Sequence, residues 1–136
     1  EMAELEGRPL EIVKEGQNYA VVAVPTDDGS VQTVIVWAHA DEGGNLILNS
    51  AEGRAWPENL RKAGRATVTM MADGNPYEYV SIRGRLVGDT QEGADDDINM
   101  LSKKYVGEDE YPFRQPGEVR VTFTLEPEKV SYMKQG

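Results

Sequence analysis

The residues best placed to do chemistry lie in Asn49-Ser50-Ala51-Glu52-Gly53-Arg54-Ala55-Trp56-Pro57-Glu58-Asn59-Leu60. This stretch follows a strand-like apolar run, Leu46-Ile47-Leu48, and opens a short helical pattern that closes at Gly64. A polar strand end leading into a helix start, with Arg54 one residue after Gly53, suits the binding of a phosphate. Unpaired backbone N–H groups and the positive end of the helix dipole face the anion, and a guanidinium adds a two-pronged contact. A plainer reading fits the same residues. Ser50 is a good N-cap and Pro57 suits a first helical turn, so the segment can equally be a capped connector.

The distribution of charge bears on that choice. The 136-residue chain has a formal net charge of −10, which argues against nucleic acid or an anionic membrane surface as partner. Six of its fourteen Lys and Arg residues nevertheless gather in one window: Arg54, Arg61, Lys62, Arg65, Arg83 and Arg85. Only Glu58, Asp73 and Glu78 oppose them there. Such a window fits a small anionic ligand, and it also fits a solvated helix end beside a salt-bridged strand face. There is no cysteine, which excludes disulfides, thiolate nucleophiles and Cys-ligated zinc. His39 is the only histidine, so no multi-histidine metal site is expected, and a surface position at a strand end suits it. The run Asp95-Asp96-Asp97 reads as a solvated helix start, because adjacent carboxylates on a helix diverge. No apolar run approaches the ~20 residues of a membrane span. The opening Glu1-Met2-Ala3-Glu4 is not a basic-then-apolar signal. A single domain over residues 1–136 in a reducing cytoplasm is the expectation.

The elements that must position these residues are mostly strands. Leu5 to Lys14 reads as a short helix. Tyr19 to Val24 and Val31 to Ala38 form a hairpin through Asp28-Gly29, and Asn45 to Leu48 follows the turn Asp41-Glu42-Gly43-Gly44. After the Ser50–Gly64 connector, Arg65 to Met71 alternates, with Ala66, Val68 and Met70 on one face. Tyr77 to Val87 places Val80, Ile82 and Leu86 opposite Tyr77, Tyr79, Ser81, Arg83 and Arg85. Glu92 to Tyr105 is helical, with Ile98, Leu101 and Tyr105 in one stripe. Glu118 to Leu125 points Val119, Val121, Phe123 and Leu125 inward, Glu126-Pro127-Glu128 ends it, and Lys129 to Met133 forms a short last strand. Turn signals every 8–12 residues or so imply a mainly β fold. A six- to seven-stranded antiparallel barrel with two or three short helices is expected.

Val31 to Ala38 does not alternate apolar with polar. Val34, Val36 and Ala38 fill one face while Thr33, Ile35 and Trp37 occupy the other, so both need cover. Tyr77 and Tyr79, on the outer face of another strand, make a similar demand. An exposed Ile-Trp surface invites association, and a homodimer is the expected answer.

Several stretches, taken in order, carry a resemblance to a known family. They are Thr26-Asp27-Asp28-Gly29-Ser30-Val31-Gln32 leading into Val34-Ile35-Val36-Trp37, and Asn49-Ser50-Ala51-Glu52-Gly53-Arg54-Ala55 with Asn59-Leu60-Arg61. To these add Asn75-Pro76-Tyr77-Glu78-Tyr79-Val80-Ser81-Ile82-Arg83-Gly84 and Leu101-Ser102-Lys103-Lys104-Tyr105-Val106-Gly107. The chain resembles the flavin and deazaflavin oxidoreductases of the pyridoxamine 5'-phosphate oxidase-like split-barrel superfamily, and within it the actinobacterial branch that uses coenzyme F-420. The resemblance implies a homodimeric split β-barrel with the coenzyme in a groove at the subunit interface. It implies that Val34, Ile35, Val36 and Trp37 lie along the tricyclic ring, and that Asn49, Ser50 and Arg54 approach the ribityl-phosphate. Tyr77 and Tyr79 would come from the partner subunit. The family commonly has a lysine two positions after the arginine; here that position is Trp56. Trp56-Pro57-Glu58-Asn59-Leu60 resembles instead a sister branch with tryptophan before Asn-Leu, and Trp56, Pro57 and Asn59 complete the implied coenzyme-binding set.

The activity so implied is F-420-dependent hydride transfer to an electron-poor small molecule, such as an enone or quinone, with the chemistry left to the cofactor. The proton would come from solvent or a nearby hydroxyl, and no catalytic residue is assigned. Three alternatives stand beside it: an FMN-binding oxidase or reductase of the same superfamily, a non-catalytic deazaflavin-binding protein, and a plain dimeric interaction domain. The substrate's contacts would come from loops such as Gly107 to Gly117.

Overall fold

A computed structural model describes residues 3–135; Glu1 and Met2 of the acidic opening lie outside the described residues. The elements run α1 (Gly7–Lys14), β1 (Ala20–Pro25), β2 (Val31–Val36), β3 (Ala38–Ala40), β4 (Leu46–Ala51), α2 (Ala55–Ala63), β5 (Arg65–Ala72), β6 (Asn75–Thr90), α3 (Ala94–Val106) and β7 (Arg120–Lys134). The strands make one antiparallel sheet in the order β2-β1-β5-β6-β7-β4-β3. Its two edge strands, β2 and β3, are separated in sequence by Trp37 alone. The sheet must therefore curl until its edges meet at one corner, which gives a half-barrel with three helices.

The segment expected as one strand, Val31 to Ala38, is thus two. β2 pairs with β1, while β3 pairs with β4 at the opposite edge. One extended strand cannot belong to both ladders, so the chain breaks direction at Trp37. Its inward residues behave as expected: Ala38 is buried, and Val34 and Val36 pack against the core. Ile35 stays 69 % exposed because no helix crosses the outer face of β2 there.

Period-2 patterning gives the inner faces correctly elsewhere. Ala66, Val68 and Met70 on β5, Val80 and Ile82 on β6, and Val121, Phe123 and Leu125 on β7 are all core residues. Val119 is not: it precedes β7 and is exposed. β7 also continues through Glu126-Pro127-Glu128, where the sequence suggested a stop. A register shift between Arg83 and Gly84 absorbs the irregularity and sets Pro127 opposite Gly84. A Cβ built on Gly84 would lie 2.9 Å from Leu125 Cβ, so this close crossing admits only glycine. Strand β4 runs on to Ala51, so Ser50 sits inside a ladder, paired with Val121, and caps nothing. Helix α2 begins at Ala55 with Arg54 at the N-cap and no side-chain cap bond, and Gly64 ends it in the left-handed conformation.

Helix α1 covers one end of the curled sheet with Pro9, Ile12 and Val13. It is fastened to β6 by a fork: Arg8 Nε and Nη2 donate to Glu78 at 2.8 and 3.1 Å, and the Tyr132 hydroxyl donates to the same carboxylate at 2.5 Å. Among the described residues no helix is long and apolar enough to cross a membrane.

The Arg8 bond, then the Tyr132 bond, hold Glu78 down from the usual 4.5 to about 2. A carboxylate depressed in the folded state adds stability that is present above its unfolded value and lost as pH falls through the folded one. Urea unfolding between pH 4.5 and 2 should therefore show stability falling with pH in the wild type. Glu78→Gln should flatten that slope and leave α1 the first element to exchange its amides.

Candidate functional site

The corner at Trp37 opens onto a pocket of about 270 Å³. Its walls are aromatic and its floor is polar. Trp37 stacks on Tyr105 at 5.4 Å with the rings 6° from parallel, and Tyr111 meets Trp37 edge-on at 5.9 Å. Phe113 closes the same side, 5.8 Å from Tyr111. Helix α3 adds Ile98 and Leu101, and β2 adds Ile35 and Val36. Tyr19 borders the mouth.

The floor is built by three residues on two paired strands and one loop. Arg120, at the start of β7, has a side chain only 3 % exposed. Its Nε donates to Asn49 Oδ1 at 2.9 Å, and its guanidinium lies 5.0 Å over the Tyr111 ring. Asn49 is held in turn: its Nδ2 donates to the Ala94 carbonyl at 2.9 Å and to Thr122 Oγ1 at 3.1 Å. The Thr122 hydroxyl donates to Asp97 Oδ2 at 2.7 Å, in the first turn of α3. Arg54, half exposed, reaches in from the loop before α2, and Glu118 stands between the two arginines. Burial makes Arg120 easier to deprotonate than usual, partly offset by the nearby Glu118 carboxylate. Its Nη1 has no hydrogen-bond partner.

A larger groove of about 1200 Å³ adjoins this pocket and shares Tyr19 and Ile35 with it. Val21, Thr69 and Met71 form its apolar base, and Asn18, Asp73 and Lys104 its polar margin. Ladder registers align Ile35, Val21, Thr69, Ser81 and Ser131 in one row across five strands. Met71, Tyr79 and Met133 form the next row. The outer face thus sets aliphatic and Met side chains beside Thr69, Ser81, Ser131 and Tyr79, and no helix covers Ile35, Met71 or Met133.

The residues singled out from sequence divide on this geometry. Ile35, Val36, Trp37, Asn49 and Arg54 all border the small pocket. Val34 packs inward against the core. Ser50 is fully buried, with its Oγ unpartnered. Trp56 packs on Phe123, 5.8 Å between rings, and Pro57 is buried beside it, so neither side chain borders a groove. Asn59 is used within the fold, its Nδ2 donating to Gln32 Oε1 at 2.6 Å. Tyr77 and Tyr79 stand on the outer face of β6, away from the small pocket. Arg61, part of the basic window, is taken up by Glu52, Glu58 and Asp89.

Sequence reasoning missed Arg120, Glu118, Tyr111 and Phe113 as a group. Alternation put Arg120 on the solvent face of its strand, and in that respect the parity was right. What it could not register is that α3 and the 107–117 loop cover that face. Four successive residues of β7, Arg120 to Phe123, are buried in consequence. His39 is half-buried and is not among the residues bordering the small pocket; burial and then the Lys104 charge lower its pKa.

The fold has clear counterparts among solved structures. An F-420 reductase superposes with a TM-score of 0.77 at 21 % identity, over 93 % of this chain and 98 % of that one. A pyridoxamine 5'-phosphate oxidase candidate from Listeria innocua gives 0.65 at 17 %, over 86 % and 89 %. An FMN-binding protein from Syntrophomonas wolfei subsp. wolfei gives 0.63 at 11 %, over 86 % and 78 %. No protein-family model matches the chain, and no curated protein does. At these identities the likeness is one of fold alone: the half-barrel shares its architecture with these structures.

Because Asn49 satisfies both Arg120 and the first turn of α3, its loss strands two buried groups at once. Asn49→Ala should lower stability by about 1–3 kcal/mol, the range for an unsatisfied buried partner, in urea or thermal unfolding. Near-ultraviolet circular dichroism should register a loosened aromatic cluster.

Proposed function

We propose that this chain is a coenzyme-dependent oxidoreductase that holds a deazaflavin of the F-420 type, or FMN, in the paired grooves and reduces an electron-poor small molecule. One observation carries the reading. A buried guanidinium with one nitrogen lacking a hydrogen bond, and a second, half-exposed one, stand at one end of an apolar groove bordered by an unpaired strand edge. That combination fits a flat ring with an anionic chain, and the donor set is right for it: cations and amides for the phosphate, aliphatic and aromatic walls for the ring.

When bound, such a coenzyme supplies a ring carbon or nitrogen that carries a hydride to the acceptor. The chain's own residues have other tasks. Arg54 and Arg120 anchor the anionic chain, with Asn49 fixing the Arg120 plane. Ile35 and Tyr19 offer an apolar bed that excludes water from one ring face. Trp37, locked by Tyr105, defines where the bed ends. The larger groove over Val21, Thr69 and Met71 leaves room for an acceptor. Tyr19 brings a hydroxyl to the edge of that space, and the Lys104 ammonium beside it is held by the Val13 and Ala38 carbonyls. FMN stands as the second reading because an FMN-binding protein shares the fold.

The same reading makes the active unit a homodimer. The rows through Ile35 and through Met71, Tyr79 and Met133 offer an uncovered surface to a second copy, which would roof the larger groove.

Two measurements test this. In fluorescence titrations with deazaflavin and FMN side by side, the wild type should bind deazaflavin preferentially. Arg54→Ala should weaken that binding by about 1–3 kcal/mol through loss of a charge-assisted contact. Absence of binding to both coenzymes would remove the reading. In sedimentation velocity the wild type should run at twice the chain mass and Ile35→Lys at the chain mass. A wild-type monomer would remove the shared groove.

A further inference from the structure

The anion end of the groove has a charge balance of its own. Glu118 Oε1 stands 3.5 Å from Arg54 Nη2 and 3.3 Å from Arg120 Nη1. Charge-assisted N–H···O bonds normally close to about 2.7–2.9 Å, so neither guanidinium is well satisfied by this carboxylate. Two atoms of the cluster, Arg120 Nη1 and Glu118 Oε2, have no hydrogen-bond partner. Both side chains are more than nine-tenths buried, at 3 % and 7 % exposure. Arg120 lines the pocket and is tethered through Nε to Asn49, so it cannot swing to close the gap. A buried donor held that firmly calls for an acceptor from outside the chain.

The count of charges then decides what kind of acceptor. Two guanidiniums and one carboxylate leave a single positive charge. A ligand group bearing one negative charge neutralises the cluster. One bearing two leaves an uncompensated negative charge beside the buried Glu118, in a chain whose formal charge is already −10. Arg61 cannot come to its aid, because three carboxylates already engage it.

We propose that Arg54, Arg120 and Glu118 form a subsite for one negative charge, selecting a ligand linked through a phosphodiester or ending in a carboxylate over one ending in a phosphomonoester. Arg120 is the buried binding residue of the subsite and Glu118 its selecting residue. The proposal deepens the coenzyme reading and rests on it for the ring. Of the two coenzymes considered, the deazaflavin is linked through a phosphodiester and FMN ends in a monoester.

FMN and its monomethyl phosphate ester make a matched pair, sharing ring and chain and differing by one charge, with riboflavin as the ring alone. At about pH 8 the monoester is doubly charged, its second ionisation lying near pH ~6. The wild type should bind the methyl ester about tenfold more tightly than FMN. Glu118→Gln should cancel or reverse that preference. Arg120→Gln should weaken both charged probes and leave riboflavin unchanged; if it fails to fold, Glu118→Gln decides alone. Phenyl phosphate and its monomethyl ester repeat the comparison without a flavin. Discrimination within the phenyl pair, with no flavin or deazaflavin bound, would sink the coenzyme reading and keep the subsite. Equal or tighter wild-type binding of the doubly charged probe, indifference to Glu118→Gln, or no binding of either pair would overturn the subsite.

Discussion

The groove exists because the chain turns one corner in a single residue. β2 ends at Val36, β3 begins at Ala38, and Trp37 carries the backbone from one edge of the sheet to the other. A corner that tight takes backbone groups out of both ladders, and those that are buried need partners. Helix α3 supplies them. The Tyr105 hydroxyl accepts from the Ala38 N–H at 3.1 Å and donates to the Asn18 carbonyl at 2.5 Å. Lys104 Nζ donates to the Ala38 and Val13 carbonyls at 2.7 and 2.6 Å. Burial lifts the Tyr105 phenol to about 12, which keeps its proton in place, and lowers the Lys104 ammonium to about 8.

The helix that secures the corner also builds the pocket beside it. Its stripe of Ile98, Leu101 and Tyr105 lies against Trp37 rather than in the main core, so the aromatic cluster is a second, smaller apolar body. Its first turn meets β4 and β7 through Ala94 and Asp97, and those contacts orient Asn49 and Thr122. A buried arginine thereby gains a fixed plane, with the Glu118 carboxylate at 3.3 Å its only charged partner among the described residues. This is an expensive arrangement for a fold to keep for stability alone, since burying a charge without full pairing is unfavourable. The proposed binding role accounts for it better than packing does.

Electrostatics and topology then agree on the direction of the groove. The acidic surface repels polyanions in general, yet two guanidiniums remain aimed at one small pocket, while Arg61 and Arg85 are spent on ion pairs. From that pocket the unpaired edge of β2 leads past Ile35 to an apolar sheet face with no cover of its own. The proposed coenzyme would lay its anionic chain at one end and its ring along the middle, with the acceptor space beyond.

Much of the framework was legible in the residues. Period-2 alternation on β5, β6 and β7, the Asp28-Gly29 turn, Gly64 as a helix stop and the Ile98–Leu101–Tyr105 stripe are local signals, set by neighbours a few residues away. The resemblance in motif order assigned Ile35, Trp37, Asn49 and Arg54 to one expected site, and all four border one pocket. What the tertiary structure alone decided was the break at Trp37, the place of Ser50 inside a ladder, the burial of Trp56 and Pro57, and the continuation of β7 past Pro127. It also decided that Arg120, an outward residue by pattern, would become the floor of a pocket. Alternation tells which side of a strand a residue faces; only the folding of distant segments, here α3 and the 107–117 loop, determines whether that side meets water.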